Sequence, residues 1–506
     1  MTTLQSALKR LWAADDASKV IQFEGAWYTW RQIRQLSERI GGTLAEAGAG
    51  PGARVAVVFG NRVESVAILM SAIVDGWTLV TLNPMQPAER LNADLSATGV
   101  EYVIGPTTSF EDPGFLAAIA GLGASAWSVD GSEVKPRTAV RDTPGRSTAP
   151  TEVDVQIEML TSGTTGPPKR IPLTRAQLES SLAAALVHHD RSAGHERVPF
   201  SGTVALVIIP IVHIGGLWGV LQALTTARPI VLLERFSVEE WVNAIKEHRP
   251  RLAGLPPAAI RSVLDSDISR EDLASVRALN AGTSPVSPEL VEAFLGRFGV
   301  PILVVYGATE FSGAVAGWTL KDFRSHWPDK RGSVGRAFPG VRLRVVDDAG
   351  LAVPPGISGR LQVSTLQAGS AGDEWVTTSD LATVDADGFL YINGRADDVI
   401  IRGGFKVAPE TVVAALRRHE AIADAAVVGI PDNRLGQIPV AAVELRQAAR
   451  VGAEELRAHC RALLTPYEVP AEVHIIEQLP RGAALKVDRR GLMNLLNSLR
   501  AGASDG

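Results

Sequence analysis

Two periodicities alternate along the first four hundred residues. Short, almost unbroken apolar runs, VAVVF at 55–59, VALVII at 204–209 and ILVVYG at 302–307, have the length and β-branched content of buried strands. Between such runs lie stretches with apolar residues three and four apart, as in WRQIRQLSERIGGTLAEAG (30–48) and ELVEAFLGRF (289–298), and these predict amphipathic helices. The rhythm implies a layered α/β structure. Residues 198–227 hold no Lys, Arg, Asp or Glu, and VALVIIPIVHIGGLWGVLQAL within them is as long as a membrane span. Pro210, His213 and the pair Gly215-Gly216 interrupt it, so the pattern predicts a strand, a loop and then a core helix. Residues 131–155, rich in Ser, Thr, Pro, Arg and Asp, read as a solvent-exposed connection. After GRADD (394–398) the pattern restarts as a compact strand-and-helix unit of about one hundred residues, which sets a domain boundary there. No fixed-period repeat is present, which excludes solenoids and propellers.

Composition narrows the function classes. A chain of 506 residues, 46% hydrophobic, can bury a large core in about two to four units. Its formal net charge of −5 and the lack of a long basic block argue against nucleic acid as a partner. One cysteine, Cys460, excludes an internal disulfide or a cysteine metal cluster and fits a reducing cytoplasm. Its setting, EELRAHCRALL, is an amphipathic helix pattern, so a packed thiol is expected rather than a nucleophile. The N-terminal segment lacks the apolar core and small-residue cleavage site of a secretory signal.

Three stretches carry candidate chemistry. TSGTTGPPKR (161–170) follows the apolar segment VQIEML and packs hydroxyls, glycines and Lys169 into ten positions. Glycines let backbone N–H groups approach phosphate oxygens, hydroxyls add donors and the lysine adds a mobile charge, so this is an anion cradle. It is not the P-loop NTPase pattern, because Pro167 and Pro168 separate Gly166 from Lys169 and no Ser or Thr comes next. YGATE (306–310) puts a ring, a glycine, a hydroxyl and a carboxylate at a strand end, where open α/β sheets bind ligands. There Tyr306 could stack on a base, Thr309 could donate to a phosphate and Glu310 could hold Mg²⁺, although a carboxylate at a strand end is more often a solvated residue or a helix cap. TSDLATVDADGFLYINGRADD (378–398) brings Asp380 and Arg395 together around a DADG turn, either to hold ribose hydroxyls or as a surface ion pair.

In this order, TSGTTGPPK, YGATE, TSD, GRADD, GGFKVAPE and a lysine near the C-terminus resemble the motifs of the adenylate-forming superfamily, which includes acyl-CoA ligases, peptide-synthetase adenylation domains and luciferases. The resemblance spans nearly the whole chain. It implies an α/β fold with a large N-terminal layered domain carrying a β-barrel-like subdomain, residues 1–396, and a small mobile C-terminal α+β domain, residues 397–506. It also implies chemistry in two steps: a carboxylic acid attacks the α-phosphate of ATP to give an acyl-adenylate and pyrophosphate, and a thiol then displaces AMP. By the same resemblance Thr161, Ser162, Gly163, Thr164, Thr165 and Lys169 would hold the phosphates and Glu310 the Mg²⁺. Gly282, Thr283, Tyr306 and Gly307 would frame adenine, Thr309 would touch the α-phosphate, and Asp380 and Arg395 would hold the ribose. Asp397 matches the hinge, and Gly404 with Phe405 matches the segment lining the pantetheine tunnel in the second domain pose.

His213 falls where the family often has a gate beside the acyl group, though a lone histidine in an apolar run is also a candidate for a satisfied core residue. Peptide-synthetase adenylation domains usually carry an aspartate in this region to pair an amino group. Its absence from residues 198–227 points to a lipid-like, terpenoid or aryl acid. With no carrier module after the lysine motif, coenzyme A is the expected acceptor and a separate carrier protein the alternative.

Lys486 matches the family lysine that bridges the attacking carboxylate and the α-phosphate. The family usually precedes it with Thr or Ser and with Gly; here those places hold Gly482 and Leu485. Leucine costs roughly 1–2 kcal/mol where positive φ is required, and a displacement of about 1 Å at a reacting group can cost about a hundredfold in rate. Arg170 and Ser379 also stand where glycine is common. The expectation is therefore a split: thioester formation intact, adenylation weakened or supplied by a partner adenylating enzyme. A non-catalytic nucleotide- or acid-binding relative is the reading from a different class.

Overall fold

The structure is a computed structural model that describes residues 4–138, 154–161, 169–189, 198–368, 374–403, 405–432, 434–482 and 485–504. Its first large sheet has seven strands in the spatial order Glu133–Pro136, Ser125–Asp130, Tyr102–Gly105, Arg54–Val58, Thr78–Leu82, Val155–Thr161 and Lys169–Thr174. The inner strands run parallel, and an antiparallel strand closes each edge. Buried on both faces, the strand Thr78–Leu82 has no exposed position, which is why it is written almost wholly in apolar and β-branched residues. Helix Trp30–Glu46 packs alongside, opened by a capping box between Thr29 and Gln32.

Part of the expected connection 131–155 is instead a strand, because Glu133–Pro136 pairs antiparallel with Ser125–Asp130; residues 139–153 lie outside the described residues. The composition misled because an edge strand exposed on most positions needs no apolar face. Residues 198–227 follow their pattern. Strand Ala205–Val207 is followed by helix Ile214–Thr225, and no helix among the described residues is long and apolar enough to cross a membrane.

A second sheet of five strands, Leu252–Gly254, Ala278–Ala281, Ile302–Ala308, Gly313–Gly317 and Arg336–Ala337, begins parallel and ends antiparallel. Beside it lies an antiparallel meander, Arg342–Val346, Gly359–Ser364, Val376–Val384 and Leu390–Arg395, which forms the barrel-like portion. A bridge between Arg336 and Phe389 joins the two. The DADG turn of the meander is tied by the Asp385 carboxylate, which accepts from the amides of Asp387 and Phe389 at 3.0 and 2.9 Å.

The small C-terminal domain has its own sheet, in which Gly436–Leu445 pairs with Ile422–Asp432, Ile400–Arg402 and Glu472–Ile476. Two apolar clusters of its own support it. Cys460 is fully buried in one of them, on helix Ala453–Leu463, and burial pushes its thiol up to about 11, as expected of a packed, inert cysteine.

Candidate active site

The site begins at the ends of two neighbouring parallel strands. Ala281 of the strand Ala278–Ala281 lies opposite Val304 of Ile302–Ala308, so Gly282 and Thr283 emerge beside Val305 and Tyr306. Close approach dictates both glycines here. A β-carbon at Gly282 would lie 2.8 Å from the Val305 side chain, and one at Gly307 would lie 2.2 Å from the Gly313 carbonyl oxygen. Thr283 holds φ +72°, a left-handed conformation costly for a β-branched residue, and its buried hydroxyl has no partner. After Ala308 the chain makes a 3-10 turn, Thr309–Phe311, that presents Thr309 and the exposed Glu310.

The meander supplies the next wall. Asp380 and Arg395 face each other across its last strand pair, and the Tyr306 hydroxyl donates to the Asp380 carboxylate. Burial, with Asp380 adding to it, raises the Tyr306 phenol far above its ordinary range, so it stays a neutral donor. Arg395 donates to the Ser379 hydroxyl and, at 3.1 Å, to Asp397, while its Nε is buried without a partner. Ser379 thus brings a guanidinium acceptor that glycine would lack.

A further side of the cleft is built on helix Ile214–Thr225. His213 is its N-cap residue, makes no capping hydrogen bond and leaves Nε2 buried and unpartnered. Burial first, and then the charge of Lys486, push the imidazole down to about 4, so it is neutral at ordinary pH. A β-carbon at Gly215 would lie 3.7 Å from the side chains of Ile209 and Thr283, ordinary van der Waals contact, so the first turn of the helix packs directly against the Gly282–Thr283 corner. One chain of hydrogen bonds here had no signal in the sequence. Trp218 Nε1 donates to Ser181 Oγ at 3.1 Å, and Ser181 donates to the carbonyl of Ser312 at 2.8 Å, pinning the end of the Thr309–Phe311 turn.

Lys486 comes from the other domain and reaches this cleft. The Lys486 residue is exposed overall, yet partial desolvation of its ammonium in the cleft, and then Arg395, lower its pKa against the opposing pull of Asp380 and Glu310. Backbone hydrogen bonds from Gly482 to Lys486 (2.8 Å) and from Leu485 to Gly482 (2.9 Å) close a tight loop beneath it. Arg481 anchors that loop, donating to the Leu485 carbonyl at 3.2 Å and to Asp424 at 2.6 Å. Leu485 has φ +58°, the left-handed backbone that glycine would adopt freely.

Ser162, Gly163, Thr164, Thr165 and Gly404 lie outside the described residues. Thr161 ends one strand and Lys169 opens the next, paired in register, so the two positions flank residues 162–168 at the end of the first sheet. Arg170, next to that base, is held at 2.7 Å by Asp94 and at 3.1 Å by the Thr81 carbonyl, a brace on the first sheet. Phe405 is not brought to the cleft: it is 56% exposed and stacks on Tyr467 with centroids 4.6 Å apart. Asp397 holds Arg395, and its neighbour Asp398 pairs with Arg489. No group of three or more His, Cys, Asp or Glu suited to a metal occurs among the described residues. A donor set of one carboxylate, Glu310, fits a Mg²⁺ carried mainly by phosphate oxygens rather than by a protein cage.

Comparison with known proteins agrees with this geometry. The AMP-binding enzyme family matches residues 10–369 and the AMP-binding enzyme C-terminal domain matches residues 412–486. The chain is 31% identical over 479 residues to a sulfoacetate–CoA ligase of Cupriavidus necator, covering 90% of each. It is 30% identical over 481 residues to a feruloyl-CoA synthase of an Amycolatopsis species, covering 92% of this chain and 94% of the other. The fatty acid–[acyl-carrier-protein] ligase ScoC of Streptomyces coeruleorubidus is 28% identical over 493 residues, with 93% and 92% covered. In fold, ATP-bound MatB from Rhodopseudomonas palustris superposes with a TM-score of 0.81 at 21% identity, over 97% of this chain and 99% of that one. With both halves of the chain matched, and a lysine from the second reaching a cleft made by the first, the protein belongs to the AMP-binding enzymes, in the acyl-CoA ligase branch of the adenylate-forming superfamily.

Proposed function

We propose that the chain joins a bulky hydrophobic or aryl carboxylic acid to coenzyme A through an acyl-adenylate, and that it performs both half-reactions itself. The carboxylate oxygen attacks the α-phosphorus of ATP and the bond to pyrophosphate breaks. The CoA sulfur then attacks the acyl carbonyl, its proton passes to solvent and AMP leaves. Tyr306, Gly307, Gly282 and Thr283 form the base-binding corner, with Asp380 and Arg395 on the ribose. The free Nε of Arg395 and the unpartnered hydroxyl of Thr283 are donors awaiting acceptors. Thr309 donates toward the α-phosphate. Glu310 would hold Mg²⁺, which supplies charge neutralisation on the leaving phosphates.

The observation that carries this reading is the seat of Lys486, a cation of the C-terminal domain in electrostatic reach of the neutral His213 and of the carboxylates Asp380 and Glu310. There it can stabilise the negative charge shared between the attacking carboxylate and the α-phosphate. That seat favours the complete two-step enzyme over a chain fed preformed acyl-adenylate by a partner adenylating enzyme, the outcome that Gly482 and Leu485 led one to expect. The absence of any acidic residue from 198–227 supports an acid without a free amino group. Asp397 is the proposed hinge between residues 1–396 and 397–506. Phe405 and Gly404 would enter the cleft after a swing about it.

The test pairs two assays: pyrophosphate exchange across a panel of acids, and conversion of synthetic acyl-adenylates with CoA followed by mass spectrometry. Exchange and thioester formation with the same aryl or hydrophobic acids are expected. Thioester formation without exchange for any acid would leave only the second half-reaction to this chain. The relationship to ScoC favours a second reading, transfer to a carrier protein, which predicts acyl-adenylate consumption by a phosphopantetheine carrier and not by CoA.

A further inference from the structure

We propose that Leu485 is a positioning residue: an apolar peg that seats the Lys486 loop on the N-terminal domain and holds the chain in its adenylating pose. The inference rests on the two-step reading above and deepens it.

Two observations meet at this side chain. The first is backbone strain. Leu485 sits at φ +58°, where a leucine is disfavoured and a glycine is at ease. The loop enforces it: Gly482 and Leu485 close the turn by main-chain hydrogen bonds, Arg481 and Val487 bridge its two sides, and Arg481 ties it to Asp424 and, at 3.4 Å, to Glu444. All these contacts lie within the C-terminal domain, so the strained turn travels with that domain when it moves.

The second observation is where the side chain goes. It packs on the large cluster of the N-terminal domain that includes Trp241, Phe294, Trp318 and Phe389. Among the described residues it is the only side chain from beyond Asp398 that joins an apolar cluster of the N-terminal domain. The two clusters of the C-terminal domain draw solely on residues after Asp398. The ion pair of Arg446 with Asp265 across the domains is long, at 4.0 Å, and both partners are about half exposed, so it adds little.

The consequence follows from when each effect operates. Strain built into the loop is present in either pose and shifts no equilibrium between them. The peg contact exists only with Lys486 in the cleft, so it stabilises that pose alone. Leucine therefore weights the population toward adenylation, the opposite of what its departure from glycine suggests.

The experiment compares Leu485→Gly and Leu485→Ala with the parent chain. Glycine removes the peg and the strain, whereas alanine removes the peg and keeps much of the strain. The ratio of pyrophosphate exchange to thioester formation from synthetic acyl-adenylate is expected to fall about three- to tenfold, to a similar extent in both variants, because both lose the peg and the strain acts equally in either pose. A tenfold fall corresponds to about 1.4 kcal/mol. Without any substrate, trypsin should also cut faster at Arg395 and Arg402 beside the hinge. That readout survives if the acid is never found, so a failure of the ligase reading is separable from a failure of the peg. Glycine equal to or better than leucine in the ratio, or trypsin cleavage within twofold of the parent in both variants, would overturn the proposal.

Discussion

The two walls of the cleft are held in opposite ways. The wall proposed to hold the nucleotide stands on the ends of parallel strands and on the meander, where Tyr306 donates to Asp380 and Arg395 to Ser379. The wall that brings Lys486 is a single loop of another domain, stiff within itself through Arg481 but resting on its neighbour through one leucine and a few polar contacts. A permanent wall suits a nucleotide that stays through both steps. A detachable one suits a cation needed for the first step and in the way of the second.

Substitutions on each side sharpen that contrast. Lys486→Met is expected to have the largest effect, slowing pyrophosphate exchange about 10²–10³-fold while thioester formation from acyl-adenylate persists, since only the first step asks for the cation. Equal losses in both assays would erase the distinction between the walls. Tyr306→Phe removes a hydrogen bond to a carboxylate, an interaction of about 1.5–3 kcal/mol. It should raise KM for ATP about tenfold and weaken binding of acyl-adenylate too, because the fixed wall serves both steps. Arg481→Ala frees the loop and strips Asp424 of one of its two arginine partners, so adenylation should drop several-fold and the C-terminal domain should melt earlier by calorimetry.

The mildest test is pH. His213 in the folded chain titrates near 4 rather than near 6.5, so between these values the unfolded chain binds the extra proton. Stability should thus rise with pH through that window and fall as pH drops from 6.5 toward 4, by at most about 3 kcal/mol. Replacing His213 with Gln should flatten this slope in a thermal melt series. A slope unchanged by the substitution would mean that the imidazole is not held neutral by burial.

The parallel strands and the YGATE residues at one strand end were legible because each rests on short-range pattern, apolar runs for strands buried on both faces and a glycine, Gly307, where backbones nearly touch, whereas Gly282 and Thr283 came only from the family resemblance. Asp380 and Arg395 could be paired across a recognisable DADG turn. What escaped depends on distant partners. Glu133–Pro136 looks like a loop because an edge strand needs only a neighbour's backbone. Arg170 and Ser379 looked like defects in glycine positions until Asp94 and Arg395 supplied their partners. The left-handed turn at Leu485 was inferable from its place in the motif, but the surface on which its side chain lands belongs to residues one to three hundred positions earlier.

The lone cysteine has a practical bearing on all of this. An enzyme whose second step handles a free thiol keeps its own sulfhydryl sealed in a helix and difficult to ionise. Maleimide dyes would therefore ignore Cys460, and a pair of cysteines placed on opposite sides of the hinge could be labelled in an otherwise native background to time the swing one molecule at a time.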